Sequence, residues 1–174
     1  ILLGTVPIFI LYYLLSHDLR ILMFIFPVTI IGLVGFIDDL YNIPQLLKTA
    51  LCLLGGVPLL FFVNGLNLNL IFFEIDMGLL YLIIIPIGIT AASNLTNLLA
   101  GFNGEEMGLG LISTLSLSAC IYLLGDLQTS LYLLTFTFAF YAFLIYNKYP
   151  AKIFPGDTGT LIVGAVIASF SIIK

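Results

Sequence analysis

Asp38 and Asp39, adjacent carboxylates at the close of the apolar run Ile21–Ile37, are the first residues of this chain equipped for chemistry. Neighbouring side chains on a helix diverge by about 100°, so the pair cannot act as one facing acid/base dyad unless the helix ends there. At a helix C-terminus each carboxylate meets the negative end of the macrodipole, at about 0.3–1 kcal/mol, and the two repel one another. A compensating cation is expected. Lys48, nine residues beyond Asp39, either snorkels toward lipid headgroups or lies beside the carboxylates, where it can neutralise a phosphate.

Two further stretches carry polar groups. Asn94 and Asn97 are three apart and share a helix face, so both amides can address one place. Gly101 and Gly104 then let the backbone turn sharply or approach a ligand, with Asn103 and Glu106 offering hydrogen-bonding groups. In Tyr149–Gly159, two prolines and two glycines fix the backbone. Asp157, just ahead of the final apolar run, reads as an N-cap with its carboxylate at the positive helix end. Polar helix ends and a bare cap would account for each stretch separately. Together, acids, amides and the cations Lys48 and Lys152 are what a Mg²⁺-diphosphate site uses. Mg²⁺ takes hard oxygen ligands, one or two of them from protein, and Lys meets phosphate as a point charge.

The elements that must position these residues are membrane helices. Of 174 residues, 61% are apolar and 8% charged, with a mean hydropathy of +1.24; soluble chains carry about a quarter charged residues. A helical span needs about 20 apolar residues. Seven runs approach that length: Ile1–Leu15, Ile21–Ile37, Pro44–Val63, Leu79–Leu95, Met107–Leu124, Ser130–Tyr146 and Gly159–Ile173. Asn42 is the expected N-cap of the third helix, with Pro44 near N1. Between the third and fourth runs, apolar and polar residues alternate, which predicts a small β-hairpin over 65–76. The expectation is an all-α polytopic membrane protein, one transmembrane domain over 1–174. The chain starts and stops beside apolar runs and reads as a piece of something longer.

Counting crossings gives sidedness. If Asp38 and Asp39 lie on one side, the connections around 97–106 and 147–157 return to it, while Asp18, Glu74, Asp76 and Asp126 fall opposite. Lys48, Lys148 and Lys152 share the first side and Arg20 the second, so the positive-inside rule makes the polar face cytoplasmic. Several classes recede. Nine acids against five bases leave nucleic acid without its basic partner. Cys52 and Cys120, inside apolar runs, form neither a disulfide framework nor a metal spacing. A transporter path would place acids mid-span, where Asp costs about 2.5–3.5 kcal/mol, and here the acids lie at span ends. An intramembrane aspartyl protease would need a second Asp facing Asp157 from within a span.

Phe36-Ile37-Asp38-Asp39 followed by Lys48, then Asn94-Leu95-Thr96-Asn97-Leu98-Leu99-Ala100-Gly101-Phe102-Asn103-Gly104, then Pro150-Ala151-Lys152-Ile153-Phe154-Pro155-Gly156-Asp157, resembles the polyprenyl-phosphate N-acetylhexosamine-1-phosphate transferases. The motifs stand in order and at matching spacing across nearly the whole chain. Ala100–Gly104 is similar to the dolichyl-phosphate GlcNAc-1-phosphate transferases of eukaryotes and archaea. Bacterial phospho-MurNAc-pentapeptide translocases usually have Asp-Gly where Ala100-Gly101 stands. The family's first membrane helix and the cytoplasmic segment beyond the seventh span are not in the chain.

The resemblance implies that Asn97 and Asp157 ligate Mg²⁺, with Mn²⁺ as a substitute, and that Lys48 binds the phosphates. Asp38 and Asp39 position or activate a lipid phosphate. Asn103 and Phe154 contact the uracil end of a nucleotide, and Asn94, Glu106 and Lys152 complete the substrate contacts. The implied partners are UDP-GlcNAc, a dolichyl or undecaprenyl phosphate, the membrane and a second copy of the chain, in a prokaryotic cell membrane ahead of the endoplasmic reticulum. The implied reaction is attack of the lipid phosphate on the sugar-linked phosphorus, releasing UMP. A phosphate monoester with a second pKa near 6 is already largely dianionic at neutral pH, so a strong general base is not essential.

Overall fold

In hydrocarbon every backbone N–H and C=O must be satisfied within its own segment, so apolar runs of this length fold as helices. The computed structural model describes residues 1–61, 63, 67–69 and 74–172. Its helices are α1 (Leu2–Ser16), α2 (Arg20–Tyr41), α3 (Gln45–Gly56), α4 (Tyr81–Leu98), α5 (Glu105–Leu123), α6 (Leu127–Asn147) and α7 (Gly156–Ile172). A 3₁₀ turn, Val57–Phe61, prolongs α3, and another, Gly78–Leu80, leads into α4. Among the described residues four units are long and apolar enough to cross a membrane: Arg20–Tyr41, Gly78–Leu98, Glu105–Leu123 and Leu127–Asn147. Leu2–Ser16, Gln45–Phe61 and Gly156–Ile172 are shorter apolar helices. Each predicted run is thus helical over most of its described residues, three of the helices being shorter than the other four.

The alternating stretch forms strands where the sequence predicts a hairpin. β1 (Asn67–Asn69) pairs antiparallel with β2 (Glu74–Asp76), Leu68 opposite Ile75. The turn joining them lies outside the described residues.

α7 is the central shaft. Every residue from Gly159 to Val166 is buried, and the helix packs against α2, α4 and α5. Small residues permit this, as they do at helix contacts within membranes. A Cβ on Gly35 of α2 would lie 2.6 Å from the Asp157 carbonyl oxygen, and one on Gly164 of α7 would lie 2.3 Å from that of Ala92 in α4. Phe24 of α2 stacks on Phe170 of α7 with ring centroids 3.9 Å apart.

Helix boundaries bring two corrections. Asn42 does not cap α3; it closes α2 in the left-handed conformation, φ 48°, its N–H donating to the Asp38 carbonyl at 2.8 Å. Pro44, with ψ 138°, is the N-cap of α3 rather than its first residue. Asn tolerates the left-handed region, and a proline pushes the residue before it out of the helical region, so the chain must break at Asn42–Ile43 before it can restart.

The connections sort by end. At one end Arg20 pairs with Asp18 at 3.0 Å and Asp126 at 3.7 Å and donates to Gln128 at 2.8 Å, tying α1–α2 to α5–α6. Burial works against the charge of Asp18. Bonds from the Arg20 side chain and backbone, the Arg20 charge and the Tyr132 hydroxyl outweigh it and hold the carboxyl below its ordinary value. The α2–α3, α4–α5 and α6–α7 connections gather at the opposite end, as the crossing count predicts.

Candidate active site

Because α2 ends on the left-handed Asn42, its last turn presents Asp38 and Asp39 in different directions. Asp39 points at the start of α7. Its Oδ1 accepts the Asp157 N–H at 2.7 Å, and its Oδ2 accepts the Thr158 N–H at 3.0 Å and the Thr158 hydroxyl at 2.5 Å. The two N–H groups are among the backbone donors that a helix leaves without intrahelical partners. The cap of α7 therefore comes from a residue on another helix. Asp157, predicted as that cap, is instead the second residue of α7. Gly156 makes room: its φ is +60°, and a Cβ there would lie 2.7 Å from an Asp39 carboxylate oxygen.

Asp38 turns the other way. Its Oδ1 accepts the Ile43 N–H at 2.8 Å and its Oδ2 accepts Lys48 Nζ at 2.9 Å. The short connection Asn42–Pro44 folds α3 back along α2, which returns Lys48 to Asp38 within its first turn. Lys48 Nζ also bonds Asp157 Oδ2, so one ammonium bridges carboxylates from α2 and α7. The Lys48 side chain is 6% exposed, that of Asp38 13% and that of Asp157 30%. Two carboxylates against one ammonium leave a formal charge of −2 + 1 = −1. The charge on Asp39 is offset separately by the positive end of α7. The most solvent-accessible of the three groups is the Asp157 carboxylate.

Asn97 comes from α4. Thr96 donates its hydroxyl to the Thr160 carbonyl at 2.8 Å, fastening the end of α4 to α7, and this sets the Asn97 amide beside the Asp157 carboxylate. A half-turn of that amide about its last torsion exchanges nitrogen for oxygen at the same place. Asp157 and Asn97 are then two hard oxygen donors beside a residual negative charge and open to solvent. Those features fit Mg²⁺, which keeps most of its shell as water and phosphate. Among the described residues no cluster of three or more His, Cys, Asp or Glu is arranged to hold a metal, so two protein ligands is the arrangement available.

The other predicted residues disperse. Asn94 donates to the Thr90 carbonyl at 2.8 Å and accepts from Gln45 of α3 at 3.5 Å. It borders a groove of about 310 Å³ between α3 and α4 with Gln45, Thr49 and Thr90. The two asparagines thus address different neighbours. Glu106, 3% exposed, accepts the Gly101 N–H at 2.8 Å through Oε1 and so braces the Gly101–Gly104 loop. Asn103 and Lys152 are exposed, as is Phe154 at 62%. They rim the same end of the bundle without entering the Lys48 cluster. Thr96 and Thr158 were not singled out by sequence reasoning. A hydroxyl beside a predicted ligand is the signal each carried, next to Asn97 and Asp157 respectively.

This geometry can be set beside known proteins. The model of glycosyl transferase family 4 matches residues 21–174. A protein of Methanocaldococcus jannaschii, provisionally named a glycosyltransferase, is 38% identical over 152 residues, covering 87% of this chain and 48% of its own length. A Saccharolobus solfataricus protein, provisionally named a UDP-N-acetylglucosamine–dolichyl-phosphate N-acetylglucosaminephosphotransferase, is 38% identical over 148 residues, 82% of this chain and 46% of its own. The phospho-N-acetylmuramoyl-pentapeptide-transferase of Streptococcus mutans is 33% identical over 165 residues, 87% of this chain and 48% of its own. The chain spans about half the length of these curated relatives. With the family model matched along nearly all of its sequence, the chain belongs to glycosyl transferase family 4.

Proposed function

We propose that this chain carries the phosphate-handling part of an enzyme that transfers N-acetylglucosamine 1-phosphate from UDP-GlcNAc to a polyprenyl phosphate, dolichyl or undecaprenyl, releasing UMP. The observation that carries the reading is the Lys48 ammonium held between Asp38 and Asp157, with Asn97 alongside, at the end where three distant connections meet. The archaeal relative named for this transfer supports the choice of sugar and lipid. The muramoyl-pentapeptide reading is second, favoured by the streptococcal relative. Ala100 in place of an acid weighs against it.

Two anions must be brought together, so the site's tasks are to offset their repulsion and align them. Lys48 offers the cation for a phosphate oxygen as it exchanges one carboxylate partner for the reactant. Asp38, bonded to Lys48 and to the Ile43 N–H, holds that ammonium in place. Asp157 and Asn97 would hold Mg²⁺, which supplies charge neutralisation on the diphosphate when bound. Asn103 and Phe154, exposed on the same rim, are suited to contact the nucleotide base, and Lys152 a phosphate. The lysine distribution favours the cytoplasmic face, and the archaeal and streptococcal sources of the relatives favour a prokaryotic membrane. A homodimer is part of the proposal.

The full-length protein in detergent, given radiolabelled UDP-GlcNAc and a polyprenyl phosphate, is expected to move label into the lipid fraction. Chelation by EDTA should abolish this and added Mg²⁺ restore it. Asp157→Ala should reduce turnover by at least about a hundredfold. A full-length protein that binds no nucleotide sugar would overturn the reading.

A further inference from the structure

The adjacent carboxylates Asp38 and Asp39 look alike in sequence and do different work in space. Asp39 has both oxygens engaged by three donors from the first turn of α7, which occupies most of the roughly four acceptor directions a carboxylate has. None of those donors is a cation or a reactant. Asp38 by contrast bonds the Lys48 ammonium directly. Gly156 is bare where a Cβ would displace the Asp39 carboxylate, and Gly35 brings α2 against the Asp157 backbone from the same helix. Three close approaches thus seat the end of α2 on the start of α7.

We propose that Asp39 is a positioning residue: bound to the first turn of α7, it sets the location of the Asp157 carboxylate relative to Lys48 and Asn97, and of the pair only Asp38 belongs to the cluster that meets the reactants. The inference rests on the transferase reading for its kinetic consequence and on geometry alone for its structural one. Without Asp39 the Asp157 and Thr158 amides lose their acceptor, the first turn frays, and Asp157 shifts. Misplacement on the ångström scale costs about a hundredfold in rate.

The test uses the full-length protein and two variants. Asp39→Ala should lower kcat roughly a hundredfold, raise the Mg²⁺ concentration for half-maximal activity and leave the shape of the pH–rate profile unchanged. Thr158→Val, which keeps Asp39 and removes one of its bonds, should move both quantities in the same direction by less. The double variant should fall short of the product of the two effects, because both act through one contact. Hydrogen exchange reads the contact without any reactant: the Asp157 and Thr158 amides should exchange faster in Asp39→Ala. If the acidic limb of the pH–rate profile disappears while the Mg²⁺ requirement stays at the wild-type value, Asp39 is a proton acceptor and the proposal is wrong. Unchanged amide exchange in Asp39→Ala would also overturn it. A wild-type protein that makes no lipid product defeats the transferase reading, while the exchange experiment still decides the placement of α7.

Discussion

At the scale of single residues, the decisive group is Lys48. It is the one cation inserted between Asp38 and Asp157 among the described residues, and it is almost fully buried. Its removal leaves two carboxylates facing one another without an ammonium between them. Lys48→Met should therefore lose sugar-phosphate transfer and also destabilise the fold, by about 3–5 kcal/mol if the pair behaves as a buried one, read as thermal unfolding in detergent. Sequence alone suggests that turnover would suffer more than folding; the burial of the ammonium makes both effects large. Adding Asp38→Asn should recover part of the lost stability by removing one of the stranded charges, and no recovery would show that the carboxylates do not repel across that gap. Residue types and spacing made Asp38, Asp39, Lys48, Asn97 and Asp157 visible as candidates. Their partners were not visible. Which of two adjacent acids faces α3 and which faces α7 depends on the rotation of α2 about its axis, and no local pattern encodes that. The three-residue spacing of Asn94 and Asn97 gives a common helix face, yet α4 lies between α3 and α7, and that face is wide enough to serve both.

At the scale of elements, the apolar runs located the helices, because hydrocarbon length and backbone hydrogen bonding leave little choice. Boundaries were harder to read. Asn42 was eligible for either helix end, and the cap of α7 was supplied from another helix, which no pattern within α7 can reveal. Close crossings give a clean experiment. Gly35→Ala and Gly164→Ala insert a methyl where backbone oxygens stand at 2.6 and 2.3 Å. Each should destabilise by about 1–3 kcal/mol, as overpacking does, and each should weaken activity by lifting α2 or α4 off α7. Gly88→Ala, with nothing within 4 Å of the added carbon, should leave activity unchanged and destabilise nothing, its only effect on the fold being a helix-propensity gain of up to about 1 kcal/mol. Equal effects at all three positions would mean that helix propensity, not the crossing, governs. Gly156→Ala combines a left-handed backbone, unfavourable by about 1–2 kcal/mol, with a clash on Asp39, and should resemble Asp39→Ala in kinetics.

At the scale of the whole molecule, the bundle is fastened differently at its two ends. The end opposite the candidate site is closed by Arg20 with Asp18, Asp126 and Gln128, and by Tyr132 on Asp18. Since the folded Asp18 carboxyl titrates below its ordinary value of 3.8, its contribution to stability is fully present above that value and is lost as pH falls through the lower, folded one. Melting temperatures measured from about pH 5 to pH 3 should drop more steeply for the wild type than for Asp18→Asn; parallel curves would show that the cluster contributes nothing to folding. The helix bearing Asp157 is enclosed by its neighbours, whereas α3 and α4 expose Leu46, Leu54, Leu82 and Ile83. Acyl chains therefore press on the carriers of Lys48 and Asn97 and scarcely on the carrier of Asp157. Hydrophobic mismatch, at fractions of a kcal/mol per Å, is thus expected to load the helices of Lys48 and Asn97 before that of Asp157, so turnover of the full-length protein should vary with the acyl-chain length of its host vesicles.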